Sequence, residues 1–177
     1  MERQRMLALV LVLILLIAPN VLLVAEELSA AQPTVRQKLA SMARSFLGLP
    51  YRWGGMSERR GADCSGLVKM LFAKLYIELP RSSREQIHSG EEVPMAKLET
   101  GDLVFFSNGG NVPMHVGVYM GNHQFLHAEK NAGRVIITEM NEPWYARRFL
   151  TARRVIGPWQ GIAALKASAE RLDSVAN

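Results

Sequence analysis

The chain has 177 residues, 49% apolar and 21% charged, which suits one packed domain with an end segment to spare and excludes a wholly disordered chain. Lys and Arg number 21 against 16 Asp and Glu, a net charge of +5. No Lys/Arg blocks interleaved with aromatics occur, so nucleic acid is not the expected partner. The single cysteine excludes an intramolecular disulfide framework and any multi-cysteine zinc or iron–sulfur site, and no Gly-rich phosphate fingerprint is present.

Arg3 and Arg5 precede an unbroken apolar run from Met6 to Ala18, followed by Pro19 and Asn20. That run is shorter than the ~20 residues of a bilayer-spanning helix and suits the apolar centre of a signal peptide. Ser29-Ala30-Ala31 offers small residues for cleavage before Gln32. If Val21–Ala25 continues the run, the same segment is an uncleaved membrane anchor, the one route to membrane contact. Residues 1–31 are therefore expected to export the chain to the periplasm, leaving it soluble or anchored to the inner membrane. No cysteine follows the run to carry a lipid. Outside the cytosol, a basic surface suits a polyanion such as the cell wall.

Beyond Thr34, apolar residues at Val35, Leu39, Met42 and Phe46 fall on one helical face, and Gly48 is a natural stop. A turn-rich loop, Leu49-Pro50-Tyr51-Arg52-Trp53-Gly54-Gly55, leads to a second helix opening at Asp63, with Leu67, Val68, Leu71, Phe72 and Leu75 on its face and Leu79-Pro80 as its break. Ser82 and Glu85 have the spacing of a capping box for a short third helix, with Arg81 and Ser83 in the same cap. After Gly101 the period becomes that of strands: 102–106, 116–120, 124–128, 135–138 and a fifth within 149–156, punctuated by Gly109-Gly110-Asn111, Gly121-Asn122 and Asn131-Ala132-Gly133. Helices first and antiparallel strands after define an α+β domain over 32–160. Residues 161–177 read as a weakly helical tail.

Cys64 falls where the loop becomes the second helix, and the free amides and dipole of a helix N-terminus are expected to lower its pKa. Its competing role is that of a small buried hydrophobe. Alternation along His115–Met120 places Val116, Val118 and Met120 on the core face and His115 with Gly117 on the other, Gly117 leaving room beside the imidazole. His127 lies on the next strand, within reach of His115 if the two pair antiparallel. A thiol nucleophile needs a base, and the base needs a group that fixes its tautomer. Cys64, His115 and His127 are candidates for those roles in that order. A metal site is the competitor, but His123 and His127 have helical ligand spacing on a strand, and no Glu adjoins His123.

These segments, with Leu79-Pro80-Arg81-Ser82-Ser83, Gly101-Asp102-Leu103-Val104-Phe105-Phe106 and Phe125-Leu126-His127-Ala128, resemble in order the successive blocks of the NlpC family of bacterial cell-wall cysteine peptidases. The resemblance covers residues 35–156 and implies a papain-like fold. Met140–Tyr145 and Ala152–Val155 are similar to the Spr-like (MepS-type) murein endopeptidases, which open cross-links between stem peptides. It implies that peptidoglycan stem peptides are the substrate, that no cofactor or metal is needed, and that Cys64, His115 and His127 are nucleophile, base and orienting residue. It also implies that Tyr51, Asp63 and Ser65 meet substrate beside the thiol, whereas Trp53 is expected to pack. Competing readings are an endopeptidase cutting D-Glu–diaminopimelate within one stem, a papain-like acyltransferase or amidase, and a non-catalytic wall-binding module. No regulatory partner is indicated.

Overall fold

The computed structural model describes residues 34–157; the expected signal segment 1–31 and the tail 161–177 lie outside the described residues. Helix α1 (Val35–Ser45) is opened by a reciprocal cap in which the Thr34 hydroxyl accepts from the Gln37 amide and the Gln37 side chain accepts from the Thr34 amide. It buries Val35, Leu39 and Ala43, and the chain turns away at Gly48, whose φ of +83° suits glycine. Helix α2 (Cys64–Ala73) follows a two-residue hairpin, β1 (Met56–Ser57) and β2 (Gly61–Ala62). It ends before the Leu79-Pro80 break that the sequence suggests, because the chain reverses at Tyr76 with φ +58° and the Ile77 amide bonds back to the Phe72 carbonyl. Helix α3 (Ser83–Gln86) carries the Ser82–Glu85 box.

One antiparallel sheet of six strands follows: β3 (Glu91–Glu92), β4 (Leu103–Phe106), β5 (His115–Gly121), β6 (Gln124–Glu129), β7 (Arg134–Glu139) and β8 (Phe149–Arg154), in the spatial order β3-β8-β4-β5-β6-β7. A short helix α4 (Pro143–Ala146) precedes β8. Strands β5 and β6 form a hairpin whose turn residues Asn122 and His123 both have positive φ, +51° and +59°, the twist that a two-residue hairpin favours.

Both faces of the sheet are covered. Val116, Val118, Leu126 and Val135 pack with Leu39, Leu67, Leu71 and Phe72 of the helices, while Val104, Phe106, Phe125 and Ala152 pack with Met140 and Tyr145 on the other side. This is why β4 reads Leu-Val-Phe-Phe without alternation. Asp102, fully buried at the start of β4, accepts from Arg154 Nε at 2.9 Å and Nη2 at 2.8 Å, and Arg36 of α1 stands 3.7 Å away. The first helix, the sheet centre and the last strand are thereby tied at one point. The α+β expectation, helices packed on an antiparallel sheet, matches this architecture.

Candidate active site

Two segments meet at Cys64: the N-terminus of α2 and the start of β5. Asp63 is the N-cap of α2, its Oδ1 accepting from the Gly66 amide at 2.7 Å. The same carboxylate accepts from the Gly54 amide at 2.9 Å and receives a two-pronged contact from Arg81, Nη1 to Oδ1 at 3.0 Å and Nη2 to Oδ2 at 2.7 Å. Arg81 also donates to Ser65 Oγ at 3.0 Å and to the Gly55 carbonyl at 3.2 Å. Arg81 therefore clamps the loop to the helix rather than joining the α3 cap, a role invisible in a spacing of eighteen residues. These contacts, with the Asp63 amide bonded to the Gly55 carbonyl, hold 54–66 as a rigid corner. Gly66 is required there, since a Cβ would stand 2.2 Å from the Gly55 carbonyl oxygen. Asp63 and Ser65 are buried, and their side chains are occupied by one another and by Arg81. The arginine and the capping amides hold the Asp63 carboxyl below its ordinary pKa against the opposing effect of burial.

The Cys64 thiol does not have the lowered pKa that its helix position suggests. Burial pushes it above its ordinary value and the Asp63 charge adds to this, outweighing the hydrogen bonds from the backbone amides of Val116, Ser65 and Cys64 itself. The Val116 contact places the sulfur at the head of β5, at the residue that follows His115. The imidazoles of His115 and His127 are joined Nε2 to Nδ1 at 2.8 Å, with ring planes 86° apart. This leaves Nδ1 as the His115 nitrogen that His127 does not engage. His127, completely buried, spends its other nitrogen on Thr138 Oγ1 at 2.9 Å, a partner absent from the sequence expectation. With both ring nitrogens of His127 engaged and His123 exposed in the hairpin turn, the metal reading has no support from their arrangement.

The room expected beside Gly117 is not empty. The Phe125 ring fills it, lying 2.5 Å from where a Cβ would sit, and that ring stacks on His127 at 4.5 Å between centroids. Gly117 thus lets an aromatic wall press the second imidazole into place. Tyr145 meets both histidine rings from α4. Tyr51 is half-buried, and burial followed by the charges of Cys64, Asp63 and Glu129 raises its pKa, so its hydroxyl keeps its proton near the sulfur. Trp53, expected to pack, is 84% exposed on the same loop.

Burial lowers the His115 pKa from 6.5 to about 4, with Glu129 opposing, and displaces His127 in the same direction. The resting pair is a neutral thiol and a neutral imidazole. Between these pH values the unfolded chain binds protons that the folded chain does not, so the stability linked to His115 is complete above about pH 6.5 and is lost as pH falls toward 4. The melting temperature is expected to decline across that interval, measured by circular dichroism from pH 8 to 4. A flat profile would show that His115 titrates as an exposed histidine does.

A helix-borne thiol set against strand-borne imidazoles on an antiparallel sheet defines a papain-like domain. The chain belongs to the NlpC/P60 family, which matches residues 48–154. It is 44% identical over 123 residues to a protein of Escherichia coli K12 named murein DD-endopeptidase MepS/murein LD-carboxypeptidase, covering 69% of this chain and 64% of that one. The chain thus spans less than two thirds of that relative's length. An NlpC/P60 family protein from Bacillus cereus superposes with a TM-score of 0.67 at 34% identity, over 71% of this chain and 42% of that one. The peptidoglycan hydrolase RipB of Mycobacterium tuberculosis gives 0.58 at 34% identity, over 67% and 63%.

Proposed function

We propose that this protein is a peptidoglycan hydrolase, a cysteine endopeptidase that opens D-Ala–diaminopimelate cross-links between stem peptides outside the cytoplasm. The observation that carries the chemistry is the His115–His127 pair joined at 2.8 Å at the head of β5, where the following residue's amide reaches the Cys64 sulfur. The relative named a murein DD-endopeptidase supports the choice of substrate and bond.

In this reading His115 Nδ1 takes the thiol proton as Cys64 Sγ attacks the scissile carbonyl. The tetrahedral oxyanion is met by the Cys64 backbone amide and the Tyr51 hydroxyl, each such donor contributing about 10²–10³ in rate. Collapse breaks the C–N bond, and the imidazolium returns its proton to the leaving amine. His115 then draws a proton from water, which hydrolyses the thioester and restores the thiol. His127 holds the imidazole in orientation but, being neutral, stabilises the imidazolium less than a carboxylate would. Asp63 and Ser65 reach substrate only through the polar wall that they form with Arg81, whose side chain is 38% exposed. No step calls for a cofactor.

The test is incubation of the full chain with purified peptidoglycan and identification of the released muropeptides by mass. Loss of cross-linked dimers with gain of intact tetrapeptide monomers is the expected result. Dipeptide-bearing products would move the cut to D-Glu–diaminopimelate, and no product would overturn the peptidase reading in favour of an acyltransferase or a wall-binding module.

A further inference from the structure

We infer that Thr138 is a positioning residue for this site: its hydroxyl accepts a hydrogen bond from His127 Nε2 when His115 takes up the thiol proton, and so supports the arrangement of the two imidazoles in which His115 acts as a base. The inference rests on the function proposed above and extends it to a residue outside the expected nucleophile, base and orienting group. Thr138 lies on β7 opposite Phe125, with His127 opposite Ile136, so its side chain meets His127 diagonally on the same sheet face. The chain His115 Nε2–His127 Nδ1 at 2.8 Å and His127 Nε2–Thr138 Oγ1 at 2.9 Å is buried at its inner end, where His127 is 0% and Thr138 6% exposed.

Two neutral arrangements fit these distances. In one, His115 donates from Nε2 to His127 Nδ1, and His127 donates from Nε2 to Thr138 Oγ1; Nδ1 of His115 is then free to take the thiol proton. In the other every donor is reversed, His115 carries its proton on Nδ1, and no base faces Cys64. A threonine hydroxyl serves either arrangement at rest, since it both donates and accepts. The reaction removes that freedom. Once His115 holds the thiol proton it is protonated at both nitrogens, so Nε2 must donate to His127 Nδ1, and the His127 proton must lie on Nε2. A buried N–H without an acceptor is costly, and Thr138 Oγ1 is the acceptor in place. The hydroxyl is therefore called on most strongly when the charge forms, which places its effect in turnover rather than in binding.

Thr138→Val keeps the shape and strand preference and removes the acceptor; Thr138→Ser keeps the acceptor and trims a methyl. On cross-linked muropeptides, Thr138→Val is expected to lower kcat on the order of tenfold, the rate equivalent of one neutral hydrogen bond, with KM unchanged, and Thr138→Ser to restore it. Nitrogen-15 spectra of labelled histidine are expected to show His127 protonated at Nε2 in a larger share of molecules in the parent and in Thr138→Ser than in Thr138→Val, which leaves that N–H without an acceptor. If the valine variant does not fold, Thr138→Ala replaces it. Wild-type kcat with His127 protonated at Nε2 to the same share in the variant lacking the hydroxyl would overturn the assignment. Equal loss in the valine and serine variants, with lowered melting temperatures, would also overturn it by showing a packing role. If the parent cleaves no peptidoglycan, the proposed function fails, and the spectra alone decide the role of Thr138.

Discussion

Cys64→Ala is expected to leave the melting temperature within a degree or two of the parent (about 0.5 kcal/mol) and to reduce muropeptide cleavage on the order of 10⁴-fold or more. The fold tolerates the change because the corner that presents Cys64 is built from Asp63, Arg81 and Gly66, none of which depends on the sulfur. Catalysis does not, because no other thiol exists in the chain. Activity retained by the variant would remove Cys64 as nucleophile. The same thiol gives a second readout. Burial holds it above its ordinary pKa and holds His115 below its own, so the resting site contains no thiolate–imidazolium pair. Alkylation of Cys64 by iodoacetamide is accordingly expected to be slow at pH 6 and to climb into the alkaline range, checked by mass spectrometry of the modified protein. Fast alkylation already at pH 5–6 would show a preformed ion pair instead.

Asp63→Ala is expected to loosen the corner from two sides at once. It removes the N-cap of α2, worth about 1 kcal/mol, and leaves the partly buried Arg81 guanidinium without its carboxylate. The summed loss is expected to be about 2–4 kcal/mol, read as a fall in the urea midpoint at constant slope. Asp63→Asn separates the two parts, since asparagine caps a helix as well as aspartate does but brings no charge; about half of the loss should remain. The depressed Asp63 pKa gives the pH sign: this contribution is present above the unfolded carboxyl value of about 3.9 and is lost as pH falls through the folded one. An alanine variant as stable as its parent would show that the corner is held by the remaining contacts, such as the Asp63 amide to the Gly55 carbonyl.

What could be read from the order of residues was whatever depends on near neighbours. Periodicity placed both long helices and the five longer strands, and local chemistry placed the cap at Ser82 and the start of the second helix at Asp63. Alternation set His115 on the face opposite Val116, and the short turn after β5 brought His127 back beside it. The features not foreseen each depend on residues distant in sequence. Two-residue strands such as β1 and β3 carry too few side chains to show a period. Arg81 resembles any residue near a helix start until the fold sets it against Asp63. The gap at Gly117 is genuine, but only pairing with β6 reveals that Phe125 occupies it. The thiol pKa departs from the sequence expectation for the same reason: a helix N-terminus is local, whereas the burial that outweighs it is a property of the folded domain.

The strand order carries a consequence for how the protein is made. Strand β8 is the last of the described strands yet lies inside the sheet, between β3 and β4, and its Arg154 completes the charge cluster at Asp102. Until residue 154 has been synthesised, β4 has a naked edge, Asp102 lacks its guanidinium partner, and β5 is supported by a sheet that is not yet closed. Contacts spanning the domain, such as Arg36 to the Ile156 carbonyl, cannot form one segment at a time. Folding therefore waits for the whole domain and is expected to be slow relative to helical proteins of the same size. The charge cluster at Asp102 that joins α1, β4 and β8 thus forms only once residue 154 has been made.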